Sequence, residues 1–431
     1  MTTSNDTTTL RAFQIPDTLW ARITSAANTN YSGNRSAAVR AALEAVHPPV
    51  GSVGSPAETL DVVVGTQYGS EGKGHVTDQV IRLYAGAPAP VLSVRVGGPN
   101  AGHCVLDPET GHKYAFRSLP VGAIHNTHLL VAAGSELDMA VLLSEIEEVS
   151  EQGRPVTLNI DPQVTVLTRD HIRQEQDSDL NARTGSTAKG IGAARADRVW
   201  RRAPIIADLY SEDLAPEVAE AAALLDKIRS RVAIGGGVLT HQDTAEYIEN
   251  IRHTRGGAHV VIEGTQGYGL GLHAGLYPQC TSNDARAIDF LAMAGVNPWD
   301  GWDRFQVTGA TRTNPIRVAG NSGPLKGETT WEDLGQQSER TTVTQKTRRV
   351  GEWDAELVSN AVRHGGVHAI ALTMVDKVFP EIAGQAGTLP MSELARTYPE
   401  VHDFVRQVEK DAGARVAMIC TGEATALEVT R

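Results

Sequence analysis

The chain has 431 residues, enough for one large core plus an extra module, and its 41% hydrophobic and 21% charged residues are ordinary for a soluble globular enzyme. A formal net charge of -12 excludes a chain built to coat nucleic acid and leaves room only for a local basic patch. Cys104, Cys280 and Cys420 are scattered without CxxC or metal-finger spacing, no apolar run approaches the roughly 20 residues that span a bilayer, and the start MTTSNDTTTL is no secretory signal, so a cytoplasmic protein in a reducing compartment is expected.

Residues 1–48 read as a separate module. "LRAFQI" is strand-like, Pro16 and Asp17 signal a helix start ahead of Leu19, Ile23 and Ala26 at helical spacing, and Ser36 caps a second helix carrying Ala38, Val39, Ala42, Leu43 and Val46 on one side. One strand and two helices resemble a ribbon–helix–helix module, a class that inserts a paired ribbon into the DNA major groove. Arg11 is nearly alone on that ribbon, so a helical oligomerisation or solubility appendage stands beside the DNA-binding reading. Residues 49–60, rich in Pro, Gly and Ser, read as a linker.

From 61 to 431, apolar β-type runs alternate with helical stretches: "LDVVVG", "VLSVRVGG", "HLLVAAG", "AHVVIEG", "HAIALTMVD" and "ARVAMICTG". The pattern predicts an α/β fold with a large, mainly parallel central sheet flanked by helices, whose functional loops leave the carboxyl ends of the strands. The first strand runs into "GTQYGSEGKG". Its glycines let the backbone approach an anion, and Lys73 supplies a point charge. The strict G-x4-G-K-[ST] pattern fails, because Gln67 stands where the first glycine belongs and Gly74 replaces the Ser or Thr.

The second loop, "GGPNAGH" from 97, completes a resemblance. With "TGSTAKGIGAARADRVWRR" from 184, "EGTQGYGLGLHAGLYPQCTS" from 263, "TTVTQKTRRVGEWDA" from 341, "LTMVD" from 372 and "ICTG" from 419, it resembles the adenylosuccinate synthetases, whose fold is P-loop-related. The resemblance implies a carbon–nitrogen ligase. A nucleoside triphosphate phosphorylates the 6-oxygen of a purine monophosphate, and the amino group of L-aspartate then displaces the phosphate. Phosphoryl transfer needs charge neutralisation and in-line positioning above all, which Lys73, the loop amides and Mg²⁺ would supply.

By the same resemblance, Gly69, Glu71, Gly72, Lys73, Gly74, Asp376, Thr421 and Gly422 would hold the triphosphate, with Met374 in place of a lysine that covers its base. His103 would donate to the 6-oxygen. Asn100, Ala101, Thr187, Gln266 and Thr281 would hold the purine monophosphate, and Arg201 would reach the monophosphate of a neighbouring subunit, implying a homodimer with shared sites. Thr344, Lys346, Arg348 and Arg349 would capture L-aspartate, for which forked guanidinium groups are suited. The Gly102 carbonyl and residue 70 would face the magnesium.

Residue 70 departs from the common pattern. Ordinary family members read G-D-E-G-K-G, and that aspartate takes the purine N1 proton. Ser70 is a poor base, but it is smaller and opens room at the N1–C2 edge, where guanylate carries its 2-amino group. This resembles the phage-associated branch of the family, the N6-succino-2-amino-2'-deoxyadenylate synthases, which join dGMP to L-aspartate for diaminopurine DNA and use ATP or dATP. That branch is the expected function, in host cytoplasm if the gene is a phage's. The alternatives are ordinary synthesis from IMP with GTP, and a non-catalytic nucleotide sensor with a DNA-binding module. No membrane partner is expected.

Overall fold

A computed structural model describes residues 58–125, 127–340 and 346–431. The expected amino-terminal module, the linker up to residue 57 and Thr344 lie outside the described residues. Thr59 and Leu60, expected in the linker, are fully buried and already belong to the first strand.

Among the described residues, eleven strands form one sheet. In chain order they are β1 (Thr59–Gly65), β2 (Val91–Arg95), β3 (His128–Val131), β4 (Thr157–Ile160), β5 (Val238–Thr240), β6 (His259–Glu263), β7 (Arg304–Arg312), β8 (Ala369–Thr373), β9 (Gly387–Pro390), β10 (Arg415–Cys420) and β11 (Ala426–Thr430). Their spatial order is β9-β11-β10-β8-β7-β1-β6-β2-β3-β4-β5, with β1 central. Pairing is parallel throughout except between β10 and β11. Every residue of β1 is buried, as expected of a strand covered on both faces, and its Val62–Val64 run supplies β-branched side chains to each.

Helix α1 (Lys73–Arg82) starts directly after Gly72, whose φ of 76° closes the turn. Its Val76, Val80 and Ile81 pack with Val63, Val261, Ala310 and Ala371. Each such fully buried side chain contributes about 1.5 to 3 kcal/mol, so the helix start is fixed against the sheet. On another face, Leu60, Val62, Val260, Ile262 and Val307 pack with Phe290 and Leu291. The loops after β1, β2, β6, β7, β8 and β10 therefore gather at one carboxyl edge of the sheet, the edge where ligands bind in such folds. No helix among the described residues is long and apolar enough to cross a membrane.

Candidate active site

The turn after β1 is pinned by side chains. Gln67 is fully buried, donating to the Arg312 carbonyl at 3.0 Å and accepting from the Arg312 amide at 3.1 Å. The side-chain amide thus continues the β1–β7 pairing past Gly65, which is why a glutamine stands where a Walker turn has glycine. Glu71 turns inward. Its Oε1 accepts from the amides of Gln67 (3.1 Å) and Gly69 (2.7 Å), and its Oε2 pairs with Lys73 Nζ at 2.6 Å, both side chains being buried. Thr373, at the end of β8, donates to the Glu71 carbonyl at 2.9 Å. A Cβ on Gly65 would come within 2.6 Å of the Gln266 carbonyl and of the Glu71 carboxylate, so the glycine lets the loop after β6 lie against the turn. Gln266 itself adopts φ 58°.

Gly74 is required by packing. A Cβ there would meet the Cys104 carbonyl at 2.7 Å and the His103 Cβ at 3.0 Å, because the strand His103–Leu106 crosses the first turn of α1. His103 is buried. Its Nδ1 lies 3.4 Å from Arg95 Nη1 and 3.6 Å from Glu263 Oε1, while Arg95 pairs with Glu263 at 2.9 Å. Nδ1 thus faces an arginine donor and a carboxylate acceptor at nearly equal distance, and the ring's tautomer follows from which of the two it engages. Nε2 is buried with no partner among the described residues. Burial lowers the His103 pKa, with Arg95 and Lys73 adding to the effect against the pull of Glu263. Burial works to raise the Glu263 carboxyl, but His103, Arg95 and the Val121 amide outweigh it and hold it below the usual range. The counter-ion of Glu263 is Arg95, and burial favours the neutral form of His103.

Ser70 sits exposed at the tip of the turn with φ 59°. Arg312 Nη1 donates to its carbonyl at 3.0 Å and also holds Glu339, whose carboxylate accepts from Nη1 and Nη2 at 3.3 and 2.7 Å. The Ser70 hydroxyl accepts from Arg348 Nη1. Burial works to raise Glu339, and Arg312, Arg348 and Lys377 outweigh it. Of the expected aspartate clamp, Arg348 thus meets the glycine turn. Arg349 is engaged by Glu328 at 2.5 Å and by the Gly323 carbonyl at 2.8 Å, and Lys346 is exposed. Arg95, Glu263, Arg312 and Glu339 had no place in the sequence reading; a lone charge within a strand or loop carries no spacing signal.

The remaining expected residues sit around these. Asn100 and Ala101 are half-buried and Gly102 is exposed, with the Ala101 carbonyl accepting from Arg95 at 2.7 Å. Thr187 is half-buried in the loop before the helix Ile191–Val199, and Arg201 is exposed just past its end. The Thr281 amide donates to Leu270 at 2.7 Å. Asp376 is mostly buried in the short helix Val375–Val378, with Lys377 at 3.8 Å. Thr421 is buried and donates to the Gln385 carbonyl at 2.5 Å; Gly422 follows it, half-buried. Burial pushes the Cys420 thiol up, so it is an inert core group. A groove of about 300 Å³ lined by Arg406, Glu409, Arg415 and Arg431 lies by the start of β10, away from these loops.

The sequence profile of adenylosuccinate synthetase matches residues 62–384. The chain belongs to the adenylosuccinate synthetase family. It is a carbon–nitrogen ligase of that family, and curated relatives agree. The adenylosuccinate synthetase of Thermococcus sibiricus is 32% identical over 371 residues, covering 84% of this chain and 95% of the relative. That of Methanococcus vannielii is 32% identical over 370 residues, covering 84% and 96%. Among solved structures, the fully ligated adenylosuccinate synthetase of Plasmodium falciparum superposes with a TM-score of 0.67 at 17% identity, over 86% of this chain and 99% of that one, a likeness of fold. The cyanophage S-2L succinoaminodeoxyadenylate synthetase (PurZ), bound to dGMP and to dATP as energy donor, superposes with a TM-score of 0.65 at 25% identity, over 86% and 95%. The match to the phage enzyme supports the phage-type branch of the adenylosuccinate synthetases.

Proposed function

We propose that this synthetase joins L-aspartate to C6 of dGMP, with ATP or dATP as phosphoryl donor, giving N6-succino-2-amino-2'-deoxyadenylate. The observation that carries the reading is Ser70, exposed at the tip of the glycine turn where the common family pattern has a carboxylate. A hydroxyl there leaves space beside C2 for the guanine 2-amino group. The likeness to the cyanophage enzyme that binds dGMP and dATP supports it. Synthesis from IMP with GTP is the second reading, and it is favoured by the curated relatives' names and by Asp376, which matches the family's guanine-reading aspartate.

In this reading the unpartnered Nε2–H of His103 donates to the purine 6-oxygen as charge develops on it. Lys73 leaves Glu71 to meet the phosphates, aided by the amides of the turn. The 6-oxygen attacks the γ-phosphorus, the nucleoside diphosphate leaves, and the aspartate amine then displaces phosphate from C6. Arg348 and the loop around it receive the aspartate carboxylates.

Among the described residues no group of three or more His, Cys, Asp or Glu could hold a metal. That suits magnesium, which is held by substrate phosphates, water and one or two protein oxygens. The carbonyl of exposed Gly102 fits that role, and the exposed Ser70 hydroxyl, which accepts one hydrogen bond from Arg348, keeps a second lone pair for it. Magnesium would neutralise phosphate charge during transfer. Arg201 is exposed, as are Val199 and Trp200 just before it, at 73% and 72%. That surface fits a homodimer in which Arg201 reaches the partner's monophosphate. DNA binding by residues 1–48 is a separate proposal, tested by an electrophoretic shift at low salt.

The deciding experiment measures phosphate release with L-aspartate and Mg²⁺, comparing dGMP, GMP and IMP as acceptors and ATP, dATP and GTP as donors. Turnover with dGMP and little with IMP supports the first reading. Turnover with IMP alone supports the second.

A further inference from the structure

We propose that Arg317 is the resident counter-charge for the acceptor's 5'-phosphate: a buried guanidinium that the fold leaves without a carboxylate, for a phosphate monoester to neutralise. The inference rests on the reading of the site as one that takes a purine monophosphate, and it adds a residue to that site.

Arg317 ends the short strand Ile316–Arg317, which pairs antiparallel with the strand Arg349–Val350. The register sets Arg317 directly opposite Arg349. Like charges in that position are unfavourable, and the two arginines are handled differently. Arg349 is neutralised by Glu328 at 2.5 Å. Arg317 is 2% exposed, and the ionisable groups that act on it are Tyr68, Arg349 and Cys280, none of them a carboxylate. Its Nη2 donates to the Gln279 carbonyl at 2.9 Å and its Nη1 to the Pro324 carbonyl at 3.4 Å, while its Nε has no partner among the described residues. Its guanidinium carbon lies 4.1 Å from the centroid of the Tyr68 ring. That ring brings no negative charge, because burial pushes the Tyr68 phenol up. Burial also lowers the Arg317 pKa, but a guanidinium keeps its proton in a protein. A full positive charge is therefore held out of water by two carbonyls and one aromatic face, an arrangement that is costly without an ion-pair partner.

The surroundings of this charge point to the missing partner. Gln279, which Arg317 holds by its carbonyl, lies two residues before Thr281. The segment that follows Arg317 reaches the other expected threonine. Asn321 Nδ2 donates to the Arg183 carbonyl at 2.8 Å, and a Cβ on Gly185, two residues before Thr187, would fall 2.9 Å from the Ser322 Cβ. A Cβ on Gly323 would come within 2.6 Å of Arg317 Nη2, so the same segment closes over the guanidinium. The segments that carry Thr187 and Thr281, the two threonines expected to hold the monophosphate, thus flank the segment that buries Arg317. A phosphate monoester carries about −1.5 to −2 charges at neutral pH. Its attraction to a cation fixed in the protein interior is screened far less by salt than that of a surface pair. Hydroxyls and amides orient the phosphate, and Arg317 supplies the opposing charge.

The test is equilibrium dialysis of dGMP, and of deoxyguanosine as the same base and sugar without the phosphate, against the full-length protein and three variants. Arg317→Gln keeps amide donors for a carbonyl and loses the charge. Arg317→Lys keeps the charge and loses the fork. Tyr68→Leu removes the ring and leaves the charge in place. The expected result is dGMP binding at least about tenfold weaker in Arg317→Gln, and within about threefold of native in Arg317→Lys and Tyr68→Leu. Deoxyguanosine should bind all four proteins alike. A cooperative unfolding transition in each variant shows that it has folded. Arg317→Lys binding dGMP no better than Arg317→Gln, equal loss of dGMP and deoxyguanosine, or a loss in Tyr68→Leu as large as in Arg317→Gln would show a brace between loops and overturn the proposal. Unchanged dGMP binding in Arg317→Gln with a raised KM for L-aspartate would give the cation to the aspartate carboxylates, and also overturns it. Failure of the native protein to bind dGMP, GMP and IMP alike overturns the monophosphate reading and this proposal with it, a result distinct from binding that does not depend on the charge.

Discussion

Lys73 and Glu71 form a buried pair in the floor of the glycine turn, 2.6 Å apart with side chains 4% and 0% exposed. The lysine that meets phosphate in the proposed reaction is therefore stored on a carboxylate that also organises the turn. Glu71→Gln keeps the size but leaves the ammonium without a counter-ion. We expect a loss of about 3 to 5 kcal/mol, read from the denaturant midpoint. Lys73→Met should cost less, because Glu71 keeps two amide donors, while turnover falls to background. Equal destabilisation by both changes would contradict this division of labour.

Gly74→Ala drives a methyl group into the Cys104 carbonyl and His103. Overpacking of this kind costs about 1 to 3 kcal/mol. Displacing His103 by a fraction of an ångström should lower kcat by about 10- to 100-fold. Thermal unfolding and steady-state phosphate release check the two parts separately. A variant with native stability and rate would show that the crossing strand is free to move.

Gln67→Leu removes both bonds to the Arg312 backbone and leaves a buried N–H and C=O unpaired. At about 1 to 3 kcal/mol for each unsatisfied group, the variant should be among the least stable in the turn. Its KM for the triphosphate should rise more than its KM for aspartate. A larger effect on aspartate would place Gln67 in a different role.

Burial lowers the pKa of His103 below that of the unfolded chain, and also of His75, His128, His171, His241 and His259. The unfolded state therefore binds protons first. Stability is full above about pH 6.5 and falls as pH drops below it. Denaturant midpoints between neutral and mildly acidic pH should show this decline, and His103→Asn should make it shallower. A decline that steepens in the variant would mean that His103 is charged in the folded protein.

Six of the eleven strands were visible in the sequence as apolar runs, and the parallel sheet followed from their alternation with helices. β7 was not, although it lies next to β1 at the centre. Its sequence, RFQVTGATR, mixes polar residues through a strand that is buried from Val307 onward, and Arg312 at its end serves the site rather than the core. Ser70, Lys73 and His103 could be picked out because each lies in a glycine-flanked loop of recognisable pattern. Glu339 and Arg312 could not, since what makes them matter is a meeting of two chain segments 27 residues apart. The inward turn of Glu71 and the engagement of Arg349 by Glu328 were equally illegible, because a sequence names a charge without naming its partner.

The contact between Gly74 and the His103 strand has a consequence for how such an enzyme diversifies. The lysine of the turn and the histidine of the second loop are locked together by backbone packing. The path along which a phosphoryl group travels is therefore set by parts that cannot drift independently. Residue 70 lies outside that lock, at an exposed tip. On the proposed reading of Ser70, a change of accepted base then needs only one side chain outside that lock.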